Sequence, residues 1–233
     1  MNRLYIFEHE RHDNDKFLIK DLLRVNHINK ILKKSIGDLI KITYINHGIG
    51  NGEILEVNKS FVLIKINKIL SPESPKIHLL IGLSRPPTMK KIIEHGTSMG
   101  VQSFTFFNAF HSEKSYMQSK IFNEQNIMEL LALGLSQSGC FYNLPAVSTV
   151  SNFSKIDFGQ FQSKIYFSLN SKHSFQKFEN NIGENLILTI GPERGWTKDE
   201  EENLNSLEFK DYNLGKPILR TEIATFVALG QLI

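Results

Sequence analysis

Leu186-Ile187-Leu188-Thr189-Ile190-Gly191-Pro192-Glu193-Arg194-Gly195-Trp196-Thr197-Lys198-Asp199-Glu200 contains a strand, a bend and a helix start in direct succession. The apolar, β-branched run predicts a strand over 185–190. Gly191-Pro192 ends it. Thr197 followed three residues later by Glu200 is a capping-box pattern, and acids fill the first turn, where the helix dipole favours them; a helix is predicted over 197–207. Such a bend lies at the carboxyl edge of a sheet, where open α/β sheets hold ligands. Its glycines allow close backbone approach to a flat molecule. The same residues also suit a plain strand–helix connection, and locally the two readings stand level.

The alternation recurs on both sides. Residues 77–83 form an apolar run of buried-strand type. Met89, Ile92, Ile93, Gly96 and Met99 recur at helical spacing. Strands are predicted over 101–107, 164–169 and 209–214, and helices over 121–137 and 219–233. This grammar implies α/β architecture with a mostly parallel sheet. Upstream, a short helix is predicted over 19–32 and strands over 39–44, 53–57 and 61–66. The glycine-dense segment His47-Gly48-Ile49-Gly50-Asn51-Gly52 reads as a hairpin turn, because no helix follows it as a dinucleotide fingerprint requires. These strands suggest a small antiparallel barrel or sandwich. Ser71-Pro72-Glu73-Ser74-Pro75 reads as a linker, dividing the chain into domains 1–72 and 73–233.

The chain has 233 residues, 41% hydrophobic and 22% charged, which excludes global disorder. Its one cysteine, Cys140, excludes an intrachain disulfide and a Cys-based metal cluster. The histidines do not pair at metal spacing, so no metal is expected. No secretory signal or membrane-length apolar run is seen, and a cytoplasmic, membrane-free protein is expected. The formal charge of +3 tolerates a nucleic-acid partner without demanding one. There is no P-loop and no Gly-x-Ser-x-Gly nucleophile elbow.

A second bend follows in Leu214-Gly215-Lys216-Pro217-Ile218-Leu219-Arg220-Thr221-Glu222. Glu222 near a helix N-terminus complements the dipole; Arg220 opposes it and so calls for a carboxylate, phosphate or substrate oxygen.

Together the two bends resemble the signature pair of the RsmE family, ribosomal RNA small-subunit methyltransferases of the knotted SPOUT class. The resemblance continues through Arg3-Leu4-Tyr5, His27-Ile28-Asn29-Lys30-Ile31-Leu32-Lys33 with Gly37-Asp38, Ser84-Arg85 through Gly100-Val101, and Gln137-Ser138-Gly139. It spans nearly the whole chain in the family's order. It departs from the family at Arg194 (for glycine), Pro217 (for arginine), Ser136 and Cys140 (for glutamate and arginine), Ser98 (for glutamate) and Lys33 (for arginine).

The resemblance implies a PUA-like RNA-binding β-barrel followed by a trefoil-knotted SPOUT methyltransferase domain. It implies a homodimer that uses S-adenosylmethionine to methylate N3 of a specific uridine in 16S rRNA of the small ribosomal subunit. Leu169, Ile190, Gly191, Pro192, Glu193, Gly195, Leu214, Gly215, Ile218, Leu219 and Thr221 would hold the cofactor. Arg220 would stabilise the uridine anion, and Glu222 would act as base or orient Arg220. Arg3, Lys30, Lys33, Lys34 and Arg85 would meet phosphates; a solvated basic face suits these residues equally. Two alternatives stand beside this reading: a knotted methyltransferase acting on another RNA site, such as a tRNA ribose 2′-hydroxyl, and a non-catalytic ribosome assembly factor.

Overall fold

In the computed structural model, residues 3–177 and 185–233 are described. The chain divides into two compact units, Met1–Glu73 with Leu135–Leu144, and Ser74–Gly134 with Pro145–Ile233.

The first unit holds β1 (Leu4–Ile6), β2 (Arg11–Asp13), β3 (Lys16–Ile19), β4 (Leu39–Tyr44), β5 (Gly48–Val57) and β6 (Val62–Leu70). They form one sheet in the order β1-β4-β5-β6-β3-β2. The β1–β4 pair is parallel and the other pairs are antiparallel. Alternate residues supply a core of Ile6, Phe17, Ile19, Ile42, Ile54 and Ile64, each wholly buried. Each such side chain stabilises the fold by about 1.5–3 kcal/mol. Backbone bonds from Arg3 to Ser136 (3.1 Å) and Asn46 to Tyr142 (2.8 Å) tie segment 135–144 to this sheet.

Two expectations change here. The helix predicted over 19–32 begins later, because Ile19 closes β3. Asp21 caps α1 (Leu22–Asn26) by accepting from the Arg24 amide at 2.8 Å, and the chain then widens into a π-helical turn, His27–Leu32. The glycine segment is a strand rather than a turn. The hairpin reverses at residues 45–47, with Asn46 at φ 64°, and Gly48, Gly50 and Gly52 lie inside β5. A Cβ on Gly50 would come within 1.8 Å of the Lys68 carbonyl oxygen, and the β5–β6 register shifts between Asn51 and Gly52. The glycines mark a bulged close approach, a second use of glycine in strands.

The second unit holds β7 (Ile77–Gly82), α2 (Pro86–Ser98), β8 (Val101–Phe107), most of α3 (Glu124–Ser138), β9 (Ala146–Val150), β10 (Ser163–Phe167), β11 (Leu186–Ile190), α4 (Lys198–Ser206), β12 (Lys210–Tyr212) and α5 (Thr221–Leu229). The sheet order is β12-β10-β11-β7-β8-β9, and every pair is parallel. All five residues of β11 are buried, the mark of a parallel strand covered on both faces. The architecture is mixed α/β. The sequence pattern missed β9, whose residues are mostly exposed at the sheet edge. The expected capping box forms: Thr197 Oγ1 accepts from the Glu200 amide at 3.2 Å, and Glu200 accepts from the Thr197 amide at 2.9 Å.

Within β7, His78 Nδ1 meets Ser103 Oγ at 2.7 Å, and burial pushes the imidazole below its ordinary pKa. The unfolded chain therefore takes up this proton first as pH falls. Stability drops as pH passes down through the unfolded value and levels off below the folded one. Thermal unfolding at about pH 7.5 and about pH 5 should show a smaller pH loss for His78→Gln than for the wild type. An equal loss would remove His78 as the cause.

Candidate active site

The carboxyl ends of β11, β10 and β12 lie side by side, because β10 sits between the other two. Each runs into a bend, and the bends surround one cavity of about 400 Å³. Leu169 enters it after β10. Ile190, Gly191, Pro192, Glu193 and Gly195 enter after β11. Leu214, Gly215, Ile218, Leu219 and Thr221 enter after β12. Every residue that the resemblance assigns to the cofactor lines this space.

Local bonds hold the bends in shape. The Gly195 amide donates to the Pro192 carbonyl at 2.9 Å. Trp196 Nε1 donates to the Phe167 carbonyl at 2.9 Å, joining the β11 bend to the end of β10. Ser168 Oγ donates to Glu201 at 2.6 Å. The Gly215 amide donates to Asn213 Oδ1 at 3.1 Å. Gly215 sits at φ 111°, a conformation glycine adopts without strain, and a Cβ there would meet only Pro217 Cδ, at 3.8 Å. Phe167, Ser168, Trp196, Glu201 and Ala224 also line the cavity and were not singled out from the sequence. For Trp196 a signal was present, since it directly follows the first bend. Arg194 is exposed and borders the cavity.

Arg220 is the N-cap residue of α5, between two residues that line the cavity. It is exposed; its carbonyl accepts from the Ala224 amide at 2.8 Å, and its guanidinium makes no hydrogen bond or ion pair among the described residues. Glu222 is buried and pairs with Lys91 of α2 at 3.3 Å. Glu222 is thus joined to Lys91, and no Arg220–Glu222 bond is formed. Lys91 carried no signal in the sequence.

The expected phosphate contacts differ among themselves. The Arg3 guanidinium donates to the carbonyls of Ile42 (2.8 Å) and Gly50 (2.8 Å), a structural engagement. Lys30 and Lys33 are exposed on and just after the π-helical turn, and Lys34 is half-buried. Arg85 pairs with Glu193 at 3.3 Å. Among the described residues, no group of His, Cys, Asp and Glu could hold a metal ion, and no helix is long and apolar enough to cross a membrane.

Residues 72–233 match the family model described as an RNA methyltransferase domain. Fold and site together thus define an RNA methyltransferase. The chain is 32% identical over 210 residues to the Ribosomal RNA small subunit methyltransferase E 1 of Borreliella burgdorferi, covering 88% of this chain and 87% of that protein. It is 27% identical to the Ribosomal RNA small subunit methyltransferase E of Treponema pallidum, covering 90% and 82%. The crystal structure of a Ribosomal RNA small subunit methyltransferase E from Neisseria gonorrhoeae bound to S-adenosyl methionine shares the fold, with a TM-score of 0.78 at 19% identity, covering 100% of this chain and 96% of that one. The chain belongs to the ribosomal RNA small subunit methyltransferase E family.

Proposed function

We propose that this enzyme transfers a methyl group from S-adenosylmethionine to N3 of a specific uridine in 16S rRNA of the small ribosomal subunit. The observation that carries the reading is the convergence of the 190–195 and 214–221 bends, with Leu169, on one cavity whose next neighbour is an unpartnered arginine. The cavity suits an adenosine. Ile190, Leu214, Leu219 and Trp196 supply apolar wall, the bends supply main-chain edges, and Glu193 and Glu201 supply carboxylates for ribose hydroxyls or a cationic tail.

When bound, S-adenosylmethionine supplies a methyl group already activated on a sulfonium. The protein's task is then positioning and tuning of the acceptor. Uridine N3 is a protonated imide at neutral pH. As N3 gives up its proton to solvent, charge spreads onto O2 and O4, and the Arg220 guanidinium stabilises that charge. Glu222, held by Lys91, fixes the first turn of α5 and so the place from which Arg220 reaches out. The target uridine is single-stranded or flipped out when it reacts.

The remaining parts of the reading have narrower support. Domains 1–72 and 73–233, the second less segment 135–144, which belongs with the first, form a PUA-like RNA-binding barrel and a trefoil-knotted SPOUT domain. The six-stranded first sheet supports the barrel, and the return of β11 between β10 and β7 before β12 passes beyond β10 supports the knot. Lys30, Lys33 and Lys34 are the phosphate contacts of the first domain. The protein works in the cytoplasm as a homodimer, and exposed Ile218 and Ile223 beside Arg220 supply apolar surface for a second copy.

Calorimetric titration with S-adenosylmethionine tests the reading. Saturable binding at one site per chain is expected. Absence of binding would favour the non-catalytic assembly factor.

A further inference from the structure

We propose that a second cavity, sharing the 192–194 bend with the first, receives a nucleotide of the RNA strand that carries the acceptor, stacking its base on Phe110 and meeting its phosphate with Arg194. This rests on the RNA reading above and adds a place for the strand.

The cavity measures about 510 Å³ and is bordered by Arg85, Phe110, His111, Tyr116, Glu193 and Arg194. These residues follow β7, β8 and β11, so the cavity opens at the same carboxyl edge of the sheet as the cofactor space. Pro192, Glu193 and Arg194 border both cavities, so an occupant of the second lies next to an occupant of the first.

Phe110 is 77% exposed, so its ring is open to a ligand. Its backbone is firmly held. The Phe110 amide donates to Glu200 Oε1 at 2.9 Å, so the residue that completes the α4 capping box also anchors this loop. His111 Nδ1 lies 3.2 Å from the Gly195 carbonyl oxygen, and Ser112 Oγ donates to the Leu83 carbonyl at 2.8 Å. The His111 ring stands at 74° to that of Phe110, with centroids 5.3 Å apart. A flat ring on a pinned backbone is a stacking platform, and stacking accepts any base.

Charge points the same way. Arg85 is matched by Glu193 at 3.3 Å. Arg194 makes no hydrogen bond or ion pair among the described residues, so its guanidinium is free for an anion. Glu113 also borders the cavity, where it accepts from Ser115 Oγ at 2.8 Å. An aromatic face beside a free guanidinium matches the two halves of a nucleotide, base and phosphate.

The test is filter binding of unmethylated 16S rRNA to the full-length protein, alongside calorimetry with S-adenosylmethionine. Phe110→Ala should raise the rRNA Kd about tenfold, and Phe110→Trp should keep it within about twofold of the wild type. Both variants should bind S-adenosylmethionine as the wild type does. Arg194→Gly should lower the slope of log affinity against log salt by about 0.7. An unchanged rRNA Kd in Phe110→Ala would overturn the proposal, as would Phe110→Trp behaving like Phe110→Ala, or loss of S-adenosylmethionine binding in Phe110→Ala. A wild-type protein that binds the rRNA but transfers no methyl group refutes the reaction proposed above and leaves the affinity ratio to decide the subsite. One that does not bind the rRNA refutes both.

Discussion

Gly215→Val should lose S-adenosylmethionine binding by at least about a hundredfold, equivalent to about 2.7 kcal/mol. Gly215 occupies φ 111°, and space lies open where its Cβ would stand. A β-branched side chain there meets two penalties. The backbone leaves the left-handed region or remains in it at a cost of about 1–3 kcal/mol. The branch also fills the side of the cavity where the second bend faces the first. The fold should survive, because the nearest atom to that Cβ, Pro217 Cδ, is 3.8 Å away. Calorimetry reads the affinity, and circular dichroism confirms the fold. Unchanged binding in a folded variant would remove the second bend from the cofactor site.

Arg220→Ala should lower kcat by about 10²–10³ while leaving the Kd for S-adenosylmethionine unchanged. That is the cost of removing one donor aimed at a developing anion. The separation follows from the geometry: Leu219 and Thr221 line the cofactor cavity, whereas the exposed Arg220 between them does not. Its side chain has no internal partner among the described residues, so truncation leaves no buried group orphaned and stability should barely change. Single-turnover methylation with saturating S-adenosylmethionine isolates the chemical step. Parallel losses in cofactor affinity and rate would reassign Arg220 to cofactor binding.

The strand, bend and helix around residue 190 were legible because each left a local mark: an apolar run, a Gly-Pro stop and a capping box. The position of Arg220 at a helix start was legible for the same reason. Local marks failed where meaning lies across the sheet. Gly48, Gly50 and Gly52 look like a turn until the β6 carbonyls are seen pressing on them. Ile19 belongs to a strand because β6 pairs with it, and its own neighbours are equally suited to a helix. Glu222 meets Lys91 from 131 residues away, a pairing that no spacing rule contains. The assembly of the cavity was legible only through the family resemblance. It depends on β10 lying between β11 and β12, and hydrophobic periodicity identifies strands without recording their order. The exposure of Phe110 is likewise set by tertiary packing, and nothing in its local sequence marks it.

The most direct measurement maps methylated nucleotides by mass spectrometry in 16S rRNA from cells lacking this protein, before and after incubation with the purified enzyme and S-adenosylmethionine. The account predicts one new methyl group, on the base of a single uridine and blocking its Watson–Crick edge at N3, and formed about 10²–10³ times more slowly when Arg220→Ala is used. A methyl group on a ribose, on a tRNA, or nowhere would contradict it.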